Sequence, residues 1–259
     1  MTFSTLPSWF LLAYAFIIGA CAGSFLNVVI YRLPMGRSIV RPGSHCFACG
    51  SPVRWSDNIP LVSWLVLMGF CRDCGQPISP RYFFVELLTA LITLNVVAVH
   101  GFTMMAALYC LFAWGLIAIT FIDLDFQIIP DEISLGGALL GLMVSPLLPL
   151  GFYGAITGAL AGGGIFFAIA TLYPGGMGGG DIKLMAAVGA FLGWKLTLLT
   201  ILLGSVTGAI IGVTAIVAFG RGRKDKIPFG PFLAAGAVTA MLWGDKLVGA
   251  YLASIGVQG

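Results

Sequence analysis

The chain has 259 residues, of which 59% are apolar and only 9% charged, with a mean hydropathy of +1.03. A soluble globular chain carries about 25% charged residues, so this composition excludes an ordinary soluble domain. The formal net charge of +3 is too small to imply nucleic acid as a partner, and the distribution of the charges is more informative than their sum.

The apolar segments, in chain order, are 9–31, 82–99, 102–122, 133–150, 152–173, 182–192, 196–219 and 231–255. Most approach the ~20 residues a helix needs to cross a bilayer. Segment 182–192 is too short alone and is expected to be tilted or buried within protein. The expected fold class is therefore an all-α polytopic membrane protein of about eight transmembrane helices. No charge precedes the first apolar run, which argues for a retained first span rather than a cleaved signal peptide. Small residues recur at four-residue spacing, as Gly19 and Gly23, Gly137 and Gly141, Gly158 and Gly162, and Gly204, Gly208 and Gly212. These are expected to let helix backbones approach closely.

Orientation follows from Lys and Arg. The 32–81 loop holds Arg32, Arg37, Arg41, Arg54, Arg72 and Arg81, and the 220–230 loop holds Arg221, Arg223, Lys224 and Lys226. Both are expected on the cytoplasmic side. Eight crossings then put both termini outside and bring loops 123–132 and 174–183 to the cytoplasmic face as well.

The 32–81 loop contains two CxxC knuckles, Cys46-Phe47-Ala48-Cys49 and Cys71-Arg72-Asp73-Cys74. Four thiolates at such spacing can surround a tetrahedral Zn²⁺. A pair of disulfides is the competing reading, but a cytoplasmic loop is reducing. With four protein ligands no coordination position stays open, so the zinc is expected to be structural and to fold a loop too polar to build its own core. Gly50 and Gly75 follow the two knuckles, where a tight turn favours glycine.

Two further loops carry acids that are expensive near hydrocarbon. Asp123 opens Asp123-Leu124-Asp125-Phe126-Gln127-Ile128-Ile129-Pro130-Asp131, and Asp181 closes Gly178-Gly179-Gly180-Asp181. Two carboxyls sharing one proton can activate water for peptide cleavage, one acting as base and the other as acid. Asp123 and Asp181 are the expected pair, and only a tertiary contact between the third and sixth segments could join them. Asp125 and Asp131 compete for the first role; Asp131, after Pro130, reads as a helix N-cap, and so does Asp181. Gly178 and Gly180 are expected to supply backbone conformations closed to other residues and to leave room for an extended peptide that pairs with exposed backbone. The rival reading is a transporter whose aspartates bind ions, which predicts acids near the bilayer midplane rather than at segment ends.

The ordered motifs resemble those of the bacterial type IV prepilin peptidases, over nearly the whole length. Gly23-Ser24-Phe25-Leu26-Asn27-Val28-Val29-Ile30-Tyr31-Arg32-Leu33-Pro34 is similar to the first-span signature of that family. The paired knuckles follow, with Asn58-Ile59-Pro60 and Ser63-Trp64-Leu65 between them, and then Ile78-Ser79-Pro80-Arg81-Tyr82 and Val85-Glu86-Leu87-Leu88. Asp123 precedes Ile129-Pro130-Asp131, Gly178-Gly179-Gly180-Asp181 fits the GxGD signature, and Ile227-Pro228-Phe229-Gly230-Pro231-Phe232 matches the last shared block. The first knuckle lacks a proline common after its first cysteine, and the stretch before GxGD lacks an acid often found there.

The resemblance implies a bifunctional leader peptidase and N-methyltransferase of the bacterial inner (plasma) membrane, multi-pass, with its active site on the cytoplasmic side. Its implied partners are prepilin or pseudopilin substrates and membrane lipid, with no nucleic acid. It implies cleavage after a glycine that ends a short basic leader, by Asp123 and Asp181. It further implies methylation of the new N-terminal amine with S-adenosylmethionine, placed near the cysteine loop. The corresponding division is a first span at 1–31, a zinc-binding, methyltransferase-associated loop at 32–81 and a peptidase domain at 82–259. Glu86 is either a cofactor or amine contact, because an acid at the start of a span is costly, or a helix N-terminal acid favoured by the dipole.

Overall fold

A computed structural model describes residues 7–173, 176–219, 228–254 and 256. Arg221, Arg223, Lys224 and Lys226, on which half of the orientation argument rests, lie outside the described residues, as do Pro174, Gly175 and Ile227. Among the described residues the regular elements are helices: α1 (Ser8–Arg32), the short α2 (Val62–Val66), α3 (Arg81–His100), α4 (Met104–Phe126), α5 (Asp131–Val144), α6 (Gly151–Leu172), α7 (Gly179–Phe219) and α8 (Gly230–Ser254). Five helical stretches among the described residues are long and apolar enough to cross a membrane: Ser8–Met35, Arg81–His100, Met104–Phe126, Gly151–Leu172 and Gly179–Ala218. Large apolar side chains such as Leu160, Met143 and Val217 stay exposed on helix exteriors, as expected where lipid rather than water surrounds the protein.

The apolar segments each fall on helix. Segments 182–192 and 196–219 are two helices, the two halves of α7, separated by a break at Gly193, whose φ of 72° is closed to most other residues. The first half of α7 is short because it is protein-covered: Leu184, Met185, Val188, Ala190 and Phe191 are almost wholly buried. At 14 residues, α5 is too short to cross upright.

The chain folds as two compact units, residues 1–118 and 119–259. In the first, α1 packs on α3. A Cβ on Gly19 would stand 2.7 Å from the Ala90 Cα, and one on Gly23 would stand 2.6 Å from the Glu86 Cα. In the second, α7 is the central helix and touches α5, α6 and α8. A Cβ on either Gly158 or Gly189 would collide with the other's carbonyl oxygen, and one on Gly162 with that of Met185. The glycine pairs visible in the sequence thus mark helix contacts, where van der Waals packing rather than the hydrophobic effect joins helices in lipid.

The α6–α7 contact is backbone against backbone and cannot yield by rotating a side chain. Gly158→Val is expected to destabilise the second unit by about 1–3 kcal/mol, seen as a lowered melting temperature in detergent. Gly164→Ala, whose Cβ would meet nothing within 4 Å, is the control and should not lower melting, since alanine favours a helix interior over glycine. Equal melting of Gly158→Val and the parent would contradict the packing described.

Candidate active site

Asp123 lies in the last turn of α4, and its residue is only 6% exposed. The chain leaves the helix through Gln127, which takes a positive φ of 53° and donates its N–H to the Asp123 carbonyl oxygen at 2.9 Å. This left-handed exit is uncommon without glycine, and it turns Ile128, Ile129 and Pro130 into a wall beside Asp123. Asp123 Oδ2 accepts a hydrogen bond from the Gly230 N–H at 2.9 Å. Gly230 is the first residue of α8, so the carboxylate sits on a helix N-terminus, where unpaired amides and the dipole favour negative charge. A Cβ on Gly230 would stand 2.7 Å from that same oxygen; only glycine lets the amide come so close.

Asp181 is the third residue of α7, not its N-cap as the sequence suggests. Gly179 and Gly180 already belong to the helix, and Asp181 Oδ2 reaches back to accept the Gly178 N–H at 3.3 Å. That is the acid half of a capping box. Neither Gly178 nor Gly180 has a positive φ, so the expectation of unusual backbone conformations fails. Their glycine identity has a spatial cause instead. A Cβ on Gly180 would stand 2.8 Å from that of Ile129, and one on Gly178 would stand 3.3 Å from Asp181 Oδ2.

These elements enclose a cleft of about 760 Å³ lined by Asp123, Asp131, Asp181, Lys183, Gly178–Gly180 and Phe229, all within the second unit. Asp123 and Asp181 both line this cleft. Asp131 is the third acid of the cleft. It begins α5 as that helix's first residue rather than its N-cap, which is Pro130. The Lys183 ammonium donates to both of its carboxylate oxygens, at 2.6 and 2.8 Å. That ion pair removes Asp131 from competition, and Asp125 is exposed and outside the cleft lining. Asp123 and Asp181 are the cleft's two acids without an ion-pair partner among the described residues. Gly230 is the functional residue that sequence reasoning missed. Its signal was present, in the Pro228-Phe229-Gly230 block, but its partner is 107 positions away.

The cysteine loop belongs to the first unit. Its two knuckles have the same hydrogen-bond pattern. The Cys46 N–H donates to the Ser51 carbonyl oxygen at 2.9 Å and the Gly50 N–H to that of Cys46 at 2.9 Å; the Cys71 N–H donates to Gln76 at 2.8 Å and the Gly75 N–H to Cys71 at 2.9 Å. Gly50 and Gly75 both take positive φ, 73° and 68°, as the tight turns require. Arg72 clamps the loop by a bidentate pair with Asp57, at 2.8 and 2.7 Å, and this guanidinium holds the Asp57 carboxyl below the usual range.

The sulfurs of Cys46, Cys49, Cys71 and Cys74 all lie within 4.8 Å of one another, and those of Cys46 and Cys74 are 3.8 Å apart. Four thiolates about 2.3 Å from one tetrahedral Zn²⁺ would be separated by about 3.8 Å, so the set fits such an ion. Hydrogen bonds from Ser51 pull the Cys49 thiol down to about 6. Cys74 goes up to about 12: the Gln76 amide favours its thiolate, but burial and the three neighbouring sulfurs outweigh it. Four thiols this close cannot all ionise without a cation between them. The His45 ring donates from Nδ1 to the Gly43 carbonyl oxygen at 3.0 Å and is not one of the four.

Residues 17–100 match the family described as the Bacterial Peptidase A24 N-terminal domain, and residues 110–213 match the Type IV leader peptidase family. A protein of Aeromonas salmonicida named prepilin leader peptidase/N-methyltransferase is 38% identical, with 95% of this chain and 96% of its own covered. A protein of the same name from Pseudomonas aeruginosa is 39% identical over 93% of each chain. One from Myxococcus xanthus is 40% identical over 85% of this chain and 69% of its own. No solved structure matches the chain significantly.

Elemental analysis of the purified protein should find one tightly held zinc per chain. Cys46→Ser/Cys71→Ser should lose it, and unchanged zinc in that variant would show that the four sulfurs are not its ligands.

Proposed function

We propose that in this chain, which belongs to the type IV leader peptidase family, Asp123 and Asp181 form the proton-sharing pair that cuts the substrate's peptide bond. The chain is a prepilin leader peptidase and N-methyltransferase, the activity its full-length relatives are named for. The transporter reading has no support from any of them. The observation that carries the residue assignment is the cleft itself: of its three acids, Asp131 is neutralised by Lys183, while Asp123 and Asp181 are held on backbone amides.

One carboxyl takes a proton from the attacking water, and the other gives one to the scissile carbonyl oxygen. Only a pair in mixed protonation states can do both. Gly178, Gly179 and Gly180 border the cleft without side chains, and a Cβ on Gly179 would meet nothing within 4 Å. An extended leader can run along this open backbone, placing the bond after its glycine between the two acids.

The rest of the reading follows the same family logic. The apolar segments make eight crossings of the bacterial inner membrane, with α5 and the buried half of α7 reaching across only by packing within protein. The cleft faces the cytoplasm, where basic leaders and anionic lipid meet. The 1–31 span and the 32–81 loop serve the methyl transfer, with Glu86 of α3 lining their cavity, and the cleavage site lies within residues 82–259. Zinc in the Cys46, Cys49, Cys71 and Cys74 set folds the loop and takes no part in chemistry. S-adenosylmethionine, the methyl donor, supplies an electrophilic methyl group on sulfur.

Asp123→Asn and Asp181→Asn, each assayed on a purified prepilin, should lose cleavage by roughly 10²–10⁴-fold, with metal content and melting unchanged. Full cleavage by either variant would end the pair assignment. Gly230→Ala should displace the Asp123 carboxylate and slow cleavage on the order of 10²-fold; parental rates would show that the α8 amide does not position it.

A further inference from the structure

The first unit holds a second cavity, of about 770 Å³, floored by α1 and α3 and roofed by the cysteine loop. Three carboxylates line it: Asp57, Asp73 and Glu86. Asp57 is paired with Arg72 and Asp73 with Arg54. Glu86 is different. It is 8% exposed, stands at the second turn of α3, and has no ion-pair partner among the described residues. An unpaired buried acid is costly, and residues that carry such a cost cluster at functional sites.

Glu86 is also deliberately held. Its Oε2 accepts the Leu61 N–H at 2.7 Å, and the Ser24 hydroxyl donates to the same carboxyl. Leu61 has φ 63° and ψ −50°, and the Val62 N–H bonds back to the Pro60 carbonyl oxygen at 2.7 Å. This is a γ-turn of the strained, positive-φ kind. A leucine in that conformation costs about 1–3 kcal/mol, and such strain persists where the surroundings impose it, often at a ligand site. The strained turn aims one amide at one carboxylate and leaves the other oxygen, Oε1, without a backbone donor among the hydrogen bonds of this turn.

We propose that Glu86 is the carboxylate that binds the newly exposed N-terminal amine of the processed pilin and receives its proton during methyl transfer, an inference that rests on the N-methyltransferase reading above. A cationic ammonium is the natural occupant of a fixed, unpaired carboxylate. The cavity is within the range of small-ligand sites and large enough for an amine terminus beside a nucleoside-sized donor. In the transfer, the bound ammonium first gives one proton to Glu86, which frees the nitrogen lone pair to form the new N–C bond. The S–C bond of a sulfonium methyl donor breaks with its electron pair left on sulfur. The product leaves as a secondary ammonium, and Glu86 passes its proton to water.

The test uses the full-length protein in detergent and two labelled peptides of a mature pilin N-terminus, one with a free amine and one acetylated. Without any methyl donor, the parent should bind the free-amine peptide at least tenfold more tightly than the acetylated one. Glu86→Gln keeps an oxygen to accept the Leu61 N–H, so the turn survives, yet this preference should vanish. With S-adenosylmethionine added, methylation should fall at least a hundredfold in Glu86→Gln and return in part in Glu86→Asp. Zinc content and melting temperature report that the variants are folded. A Glu86→Gln protein that still prefers the free amine and still methylates overturns the assignment. If the parent shows the amine preference but never methylates, the methyltransferase reading falls while the amine site stands.

Discussion

Everything in the second unit serves one demand: two carboxylates must stay usable at the edge of an apolar slab. An isolated acid there would be costly, and among the described residues the fold offsets that cost with backbone amides. Asp123 rests on the Gly230 amide at the start of α8, and Asp181 reaches the Gly178 amide at the start of α7. A cation beside either acid would hold it permanently ionised and remove the proton a shared pair needs. Lys183, the cleft's lysine among the described residues, is paired with Asp131. The α6–α7 glycine contacts and the turn at Gly193 have the same purpose, since they fix where α7 begins and therefore where Asp181 points.

The first unit solves a different problem with different means. The 32–81 loop is too polar to bury a core, so it is organised by repeated knuckle turns, by the Arg72–Asp57 clamp and by four sulfurs spaced for one ion. That ordered loop then roofs a cavity over α1 and α3, where Glu86 has no ion-pair partner among the described residues. Two reactions with opposite needs, an acid pair for hydrolysis and a lone carboxylate for an amine, thus have separate settings on one chain.

Much of this was legible in the sequence because its signals are local. The apolar runs marked the helices, the CxxC pairs marked the sulfur set, and the glycine pairs marked the close helix contacts. The signals that misled were also local. Asp131 and Asp181 look like N-caps when only their neighbours are read, but Pro130 and Gly178 take that position and move each acid into the first turn. Gly178 and Gly180 look like conformational glycines, yet what they need is space beside Ile129 and Asp181. What could not be read was long-range: the Gly230 amide under Asp123 and the Lys183–Asp131 pair. Each depends on how helices pack, and no spacing along the chain encodes it.

The most direct examination of the central claim is a high-resolution structure in lipid with a non-cleavable prepilin peptide bound. The account predicts the carboxyls of Asp123 and Asp181 on either side of the scissile position, joined through a single water or the peptide's carbonyl oxygen. Carboxyls that point into separate compartments, too far apart for one water to bridge, would contradict it.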